Sequence, residues 1–396
     1  MKKILVIGAG FLQDFVIRRA REMGYYTLAV DADPDAVGFR NADEYKVINI
    51  VDEEACLEYA REKKIDGVLT AATDFGVMTA SYIAEKLGLK GLNYESARLI
   101  KNKYQVRKRL FENHVDDSSQ AYEVTDFTDI DELSKYLPYP VMVKPCDGSG
   151  SRGTSCVEGP LNLKSACAFA RAGSLSGRVE IERFIQGKEY GAESLVVDGE
   201  IHVLAIMKKW MTQPPYYAEL GHAVPNDLDY NTEKRVISCV AKAIKALGIN
   251  HGSVNMDMVI TATGNIHIID VGARMGGNMI GPCLVPYGTG YRYVENMIKA
   301  AAGDECDWSR TPKKYGTVAT KLLAFAGGEI KRLPDFEAIE KEYNVEIYHH
   351  MKVGDMVNEY HTNLDGCGYI VARDASVVKA EETARLVLKK ITDYIF

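Results

Sequence analysis

From its third residue the chain alternates short β-branched runs with stretches whose apolar positions recur every three to four residues. The first kind predicts strands at 3–8, 27–31 and 67–70, and the second predicts amphipathic helices at 12–24, 53–63 and 75–87. This is the rhythm of a parallel sheet with helices packed on it. The segment "GLNYESARLIKNKYQVRKRLFENH" then predicts one helical stretch carrying Lys101, Lys103, Arg107, Lys108 and Arg109, whose simplest use is a solvated face. From 139 the pattern shifts to strands with glycine-rich turns. A helix is expected at 160–172, followed by three strands in "RVEIERFIQGKEYGAESLVVDGEIHVLAIMKKW", with Asp198-Gly199 as a hairpin turn. A helix at 232–247, a further strand pair, and a tail of mixed strands ending in a helix at 376–394 complete the expectation. The class is a multi-domain α/β and α+β protein. The expected units are 1–94, a helical segment 95–138, and then 139–209, 210–326 and 327–396.

The stretch "VNMDMVITATGNIHIIDVGARMGG" carries the most chemistry. If Val254–Thr261 and Asn265–Val271 pair around Thr263-Gly264, then Asp257 faces Asp270. Val254, Met256, Met258 and Ile260, with Ile269 and Val271, then fall on the opposite, core-facing side. Facing carboxylates have Cβ atoms roughly 5 Å apart and repel, so a cation belongs between them. Mg²⁺ shared with substrate phosphates suits such an oxygen pair, and the alternative is a hydrated sheet edge. Arg274 and the glycines after it place a guanidinium and backbone N–H groups beside that position. In "VMVKPCDGSGSRGT", Lys144 at a strand end precedes Gly148, Gly150 and Gly153, a loop able to wrap phosphate oxygens or simply to be a surface hairpin. The P-loop pattern GxxxxGK[ST] does not occur.

Composition narrows the partners. A net charge of −7 without a basic stripe argues against nucleic acid, and no run reaches the length of a membrane span. The eight cysteines show neither CxxC nor zinc spacing, as expected for free thiols in a reducing cytoplasm. Gly8 and Gly10 after an apolar run, with Asp31 about twenty residues on, suggest a dinucleotide turn. The third small residue is replaced by Gln13, so the fingerprint is incomplete.

Together, Lys103, Lys144 with its glycine-rich loop, "EIERFIQGKEY", Asp257 and "IIDVGARMGG" resemble the ATP-grasp superfamily of carboxylate–amine ligases. The resemblance implies a Rossmann-like domain at 1–94, a lid at 139–209, a catalytic subdomain at 210–326 and a C-terminal subdomain. It implies ATP and Mg²⁺, with Mn²⁺ as a substitute, small-molecule carboxylate and amine substrates, and a homodimer. Lys103 and Lys144 would contact phosphates, assisted by Ser149, Ser151 and Gly153 of the loop. Glu182, Arg183, Phe184 and Ile185 would form the adenine hinge, and Glu189 would bind the ribose. Asp257 and Asp270 would hold Mg²⁺, and Arg274 would steady an acyl phosphate. Gly10, Gly276 and Gly277 would border the substrate, and the turn of Gly8, Gly10 and Asp31 would help build the acceptor site without holding a dinucleotide.

Many members read E-x-N-P-R at the second metal position, with the Asn as a further ligand; here the run is Asp270-Val271-Gly272-Ala273-Arg274. Gly272 cannot ligate through a side chain. The small residue followed by R-x-G-G resembles the L-amino acid (dipeptide) ligase branch. So does "QPPYYAELGHAVP", which would carry Glu219 and His222 on a loop near the substrate. The expected reaction is amide formation through an acyl phosphate with release of ADP and phosphate. Alternatives are a carboxyphosphate-forming or purine-biosynthetic ligase, a nucleotide-binding regulator without catalysis and, last, a dehydrogenase.

Overall fold

The computed structural model describes the chain except for residues 149–151, 214–215 and 313–315. It opens with β1 (Lys3–Ile7), α1 (Phe11–Glu22), β2 (Tyr26–Asp31), β3 (Glu44–Val47), α2 (Glu53–Lys63), β4 (Gly67–Thr70) and α3 (Phe75–Leu87). These strands form a parallel sheet in the order β3-β2-β1-β4, whose apolar runs are covered by helices as a parallel sheet requires.

The segment expected as one helix is two, α4 (Tyr94–Ile100) and α5 (Lys103–Glu112). The Asn102 side chain accepts a hydrogen bond from the Gln105 N–H, which caps a new helix, and the Lys103 N–H donates to the Cys146 carbonyl at 2.7 Å. Lys103 is thereby fixed at a helix start beside the strand that carries Lys144.

There follow β5 (Tyr122–Val124), α6 (Ile130–Leu133), β6 (Val141–Pro145), β7 (Ser155–Val157), α7 (Leu163–Ala172) and β8 (Val179–Arg183). Their strands make a small antiparallel sheet, β5-β8-β6-β7, packed on α7. Next come β9 (Lys188–Val197), β10 (Glu200–Met211), β11 (Glu219–Val224), α8 (Tyr230–Ala246), β12 (Gly252–Ile260) and β13 (Ile266–Gly272). The turn between β9 and β10 is Asp198-Gly199, both with positive φ, as a two-residue hairpin needs. The chain closes with α9 (Val285–Thr289), α10 (Tyr293–Ala301), β14 (Thr317–Leu322), β15 (Ala326–Glu329), α11 (Phe336–Tyr343), β16 (Val345–His349), β17 (Met356–Glu359), β18 (Gly368–Asp374) and α12 (Val377–Ile395).

Eight of these strands form one sheet, β13-β12-β9-β10-β11-β14-β18-β16. Strand pairing therefore cuts the chain differently from the expected units. The small sheet takes β5 from the 95–138 segment, β9 and β10 leave the expected lid to join the large sheet, and β16 and β18 extend that sheet rather than forming a separate one. A parallel bridge from Ala71 to Met275, with the Ala72 N–H on the Met275 carbonyl, ties the end of β4 to the glycine loop after β13.

The β12–β13 register pairs Asp257 with Asp270 as expected, but through a bulge: Met258 pairs with Ile268, leaving Ile269 as the extra residue. The expectation that Ile269 faces the core is thus corrected. Ile268 packs in the core, and Ile269 lines the cleft described below.

Candidate functional site

A cleft of about 580 Å³ lies where the small sheet, the β12–β13 hairpin, the glycine loop and the start of α1 meet. That volume is ordinary for a small-molecule or nucleotide site. The cleft is lined by Lys103, Lys144, Glu182–Ile185, Glu189, Asp257, Asp270, Arg274 and Gly277, residues spread over more than 170 positions of sequence.

On the hairpin face toward the cleft, each aspartate already has a cation. The Asp270 carboxylate is paired with Lys103, and Asp257 with Lys209 at 2.7 Å. The Lys209 side chain is 1% exposed and also meets Glu219 at 2.6 Å and Glu189 at 4.0 Å. Burial raises the Asp257 carboxyl, and Lys209 opposes this only in part. Partial desolvation by the cleft walls disfavours ionisation of Asp270, but the surrounding cations, Lys103 first and then Lys144 and Arg274, hold that carboxyl low. Glu219 is held at about 2, because the adjacent Lys209 overcomes its burial. A divalent cation fits between Asp257 and Asp270 on the chemistry of the donors, two hard oxygens facing an open cleft. Among the described residues no His, Cys, Asp or Glu completes a three-residue metal group, so phosphate and water oxygens would fill the remaining positions. Lys103→Ala should lower turnover by at least about ten-fold, because it removes a charge aimed into the cleft. Lys108→Ala, further along the same helix but exposed and paired with Glu112, should stay within about two-fold. Steady-state phosphate release checks both, and equal effects would return α5 to a merely solvated face.

Lys144 is paired with Glu182, whose other oxygen takes the Arg107 Nε at 3.3 Å. Arg107, which the charge run placed on a solvated face, is instead buried among Glu182, Asp116 and the Ile268 carbonyl. Glu180 lies on the same face of β8; burial and the neighbouring Glu182 push it up to about 7. Both Glu182 oxygens are thus engaged by cations, and the Phe184 N–H donates to the Pro140 carbonyl.

Arg274 is steered by Asp74, which accepts from Nε at 2.9 Å and from a terminal nitrogen at 3.4 Å. Behind it, the buried Glu193 accepts hydrogen bonds from the Gly276 N–H, Asn255 Nδ2 and the Tyr293 hydroxyl. Burial raises Glu193 to about 7 although these donors favour its charged form. Its folded value lies above the ordinary 4.5, so the folded chain binds the extra proton between those limits. Its contribution is complete below about pH 4.5 and is lost as pH rises to about 7, for a total of roughly 3–4 kcal/mol. Urea unfolding at about pH 5 and pH 7.5 should show Glu193→Gln gaining on the wild type at the higher pH. A constant gap between the two would remove Glu193 from this linkage.

The structure places several of the expected residues differently from a substrate loop. Glu219 and His222 are on a strand, β11, paired between β10 and β14. His222 is 1% exposed, lies outside the cleft lining, and is held neutral by burial with a value near 4. It pairs across the ladder with Lys209, on the same face, and its Nε2 lies 3.9 Å from Glu219, so it sits beneath the floor of the cleft. Glu219 does line the cleft, where Asn278 and Asn363 donate to it. Gly10 and Gly276 are likewise outside the lining. Gly10 caps α1, and Gly276 is held beneath the loop by Glu193. The N-terminal turn is filled from within: Gln13, 7% exposed, bonds to the Ala71 carbonyl, while Asp31 accepts from the Ala9 N–H at 2.7 Å. Ser149, Gly150 and Ser151 lie outside the described residues. Gly153, with φ of +71°, sits against Pro145, while Gly148, Arg152 and Thr154 line the cleft.

Sequence reasoning missed Lys209, Asp74, Asn255 and Glu193. For Lys209 and Glu193 a signal existed: each is a charged residue at an inward position of an apolar strand, which is costly unless it is paired.

Residues 137–282 match the ATP-grasp domain family, and residues 321–393 match L-amino acid ligase C-terminal domain 2. The y4rH protein of Sinorhizobium fredii is 24% identical over 96% of this chain and 79% of its own length. Mouse carnosine synthase 1 is 24% identical over 70% of this chain, which spans 37% of that protein. Among solved structures, the L-amino acid ligase from Bacillus licheniformis superposes with a TM-score of 0.84 at 22% identity, covering 99% of this chain and 98% of that one.

Proposed function

We propose that this chain, with its segment matching the ATP-grasp domain family and its segment matching L-amino acid ligase C-terminal domain 2, joins a carboxylate, an amino acid or other small organic acid, to an amine at the expense of ATP. The observation that carries this is the facing Asp257–Asp270 pair in a cleft that also holds Lys103, Lys144 and Arg274. Two carboxylates among fixed cations suit a polyphosphate and its counter-ion, and phosphoryl transfer depends mostly on positioning and charge neutralisation.

In this mechanism a substrate carboxylate oxygen attacks the γ-phosphorus of ATP, the bond to the β-phosphate oxygen breaks, and an acyl phosphate and ADP form. The amine nitrogen then attacks the acyl carbon, phosphate leaves and the nitrogen loses a proton. Lys103 and Lys144 bind phosphate oxygens, and the loop that follows Lys144 covers them. Glu189 faces the ribose, and the 183–185 backbone borders the base. Asp257 and Asp270 would hold Mg²⁺, which supplies further neutralisation of the phosphates when bound. Arg274 orients the acyl phosphate with its planar fork. Closure of the cleft limits hydrolysis of that intermediate. Residues 1–94 serve as a Rossmann-like wall of the acceptor end, with no dinucleotide.

Chromatography of the nucleotide products tests the reading. ADP and phosphate are expected, with phosphate equal to amide when the correct acid and amine are present. AMP and pyrophosphate would sink it. Stimulation of phosphate release by bicarbonate, and by no amino acid, would redirect it to carboxyphosphate chemistry.

A further inference from the structure

Gly272 is two residues after Asp270, on the same face of β13, and it pairs across the hairpin with Asn255 as Asp270 pairs with Asp257. The face toward the cleft therefore carries four positions in a square, of which two are carboxylates. At the third, a Cβ on residue 272 would lie 3.0 Å from the Arg274 Cζ and 3.2 Å from both terminal guanidinium nitrogens. The guanidinium occupies the space that a side chain at 272 would fill. The fourth position, Asn255, is committed: its Nδ2 donates to Glu193, and its Oδ1 takes the Arg274 guanidinium at 3.5 Å. Arg274 is anchored by Asp74 from the other side.

Two divalent ions flanking a transferring phosphoryl group each need protein oxygens. Beside Asp270, position 272 has no side-chain oxygen to offer, the Asn255 Oδ1 is turned to Arg274, and a permanent cation already stands there. Building on the ligase reading above, we propose that this site works with one divalent cation, held by Asp257 and Asp270. The Arg274 guanidinium, admitted by the absence of a side chain at Gly272, then supplies the second positive charge at the phosphoryl group. A guanidinium differs from a metal ion in being fixed to the chain, in offering a planar fork to two oxygens, and in needing no dehydration by the substrate.

The test counts ions rather than turnover. The full chain, saturated with a non-hydrolysable ATP analogue, is titrated with Mn²⁺ and followed by electron paramagnetic resonance. One bound ion per chain with an uncoupled spectrum is expected; two ions with spin-coupled lines would overturn the inference. Gly272→Asn evicts the guanidinium and adds an oxygen beside Asp270, so its count should rise from one to two. A well-folded Gly272→Asn chain that still binds one ion also overturns the inference, because the glycine would then not set the number. If that variant does not fold, the wild-type count decides alone. Failure of the wild type to bind the nucleotide analogue at all would instead take down the ligase reading.

Discussion

Lys209→Met is expected to destabilise the folded chain by about 3–5 kcal/mol, the usual cost of removing one partner from a buried ionic cluster. The lysine is surrounded by Asp257, Glu219 and Glu189, and its side chain is almost wholly enclosed. Methionine fills much of the same volume, so the loss reports charge rather than packing. The three carboxylates left behind would repel one another in a poorly solvated place. Thermal unfolding should show the apparent midpoint falling by at least about 5 °C. Adding Glu219→Gln to the Lys209→Met chain should recover part of that loss. A single variant that melts within about 1 °C of the wild type would mean that the cluster is solvated and that Lys209 does not organise the floor of the cleft.

Asp270→Asn should have the opposite profile. Its side chain is 46% exposed toward the cleft, so an amide is tolerated there, and the midpoint should move by less than about 2 °C. Phosphate release, however, should fall at least about 100-fold, since an anionic oxygen facing the transferring group is lost. Lys103 would be freed at the same time and would have water available. Retention of most of the activity would remove Asp270 from the site. Read together, the two variants separate the residue that holds the cleft in shape from the one that serves its chemistry.

Much of this was legible in the chain because strand alternation is unforgiving. Val254, Met256, Met258 and Ile260 could only face the core together, so Asp257 had to face the cleft, and the position of Asp270 followed from pairing. The bulge at Ile269 was not legible, since one extra residue alters local facing without altering the apolar count. The Asn102 cap that splits the charged helix was overlooked, although Asn before a helical run is a start signal. Strand β11 was hidden by the prolines and tyrosines before it, which mark a turn and mask the short alternation of Glu219–Val224. Arg107 and Lys209 escaped for a different reason. Charged residues are normally at the surface, and only long-range pairing with Asp116, Glu182, Glu219 or Asp257 makes their burial tolerable.

The two ends of the cleft differ in how many obligations each side chain carries. At the lysine end nearly every charged group answers to two or three others, as Glu182 does to Lys144 and Arg107. At the other end the walls are contributed by Leu12 of α1, Tyr369 of β18 and the turn at Asn363-Leu364, and Leu364 is 72% exposed. A change at Leu364 disturbs little of the core, whereas a change at Glu182 unsettles two cations at once. Over generations, mutations would accumulate first where they cost the fold least, so the Leu364 end of the cleft is free to drift while the lysine end is held in place by its own pairings.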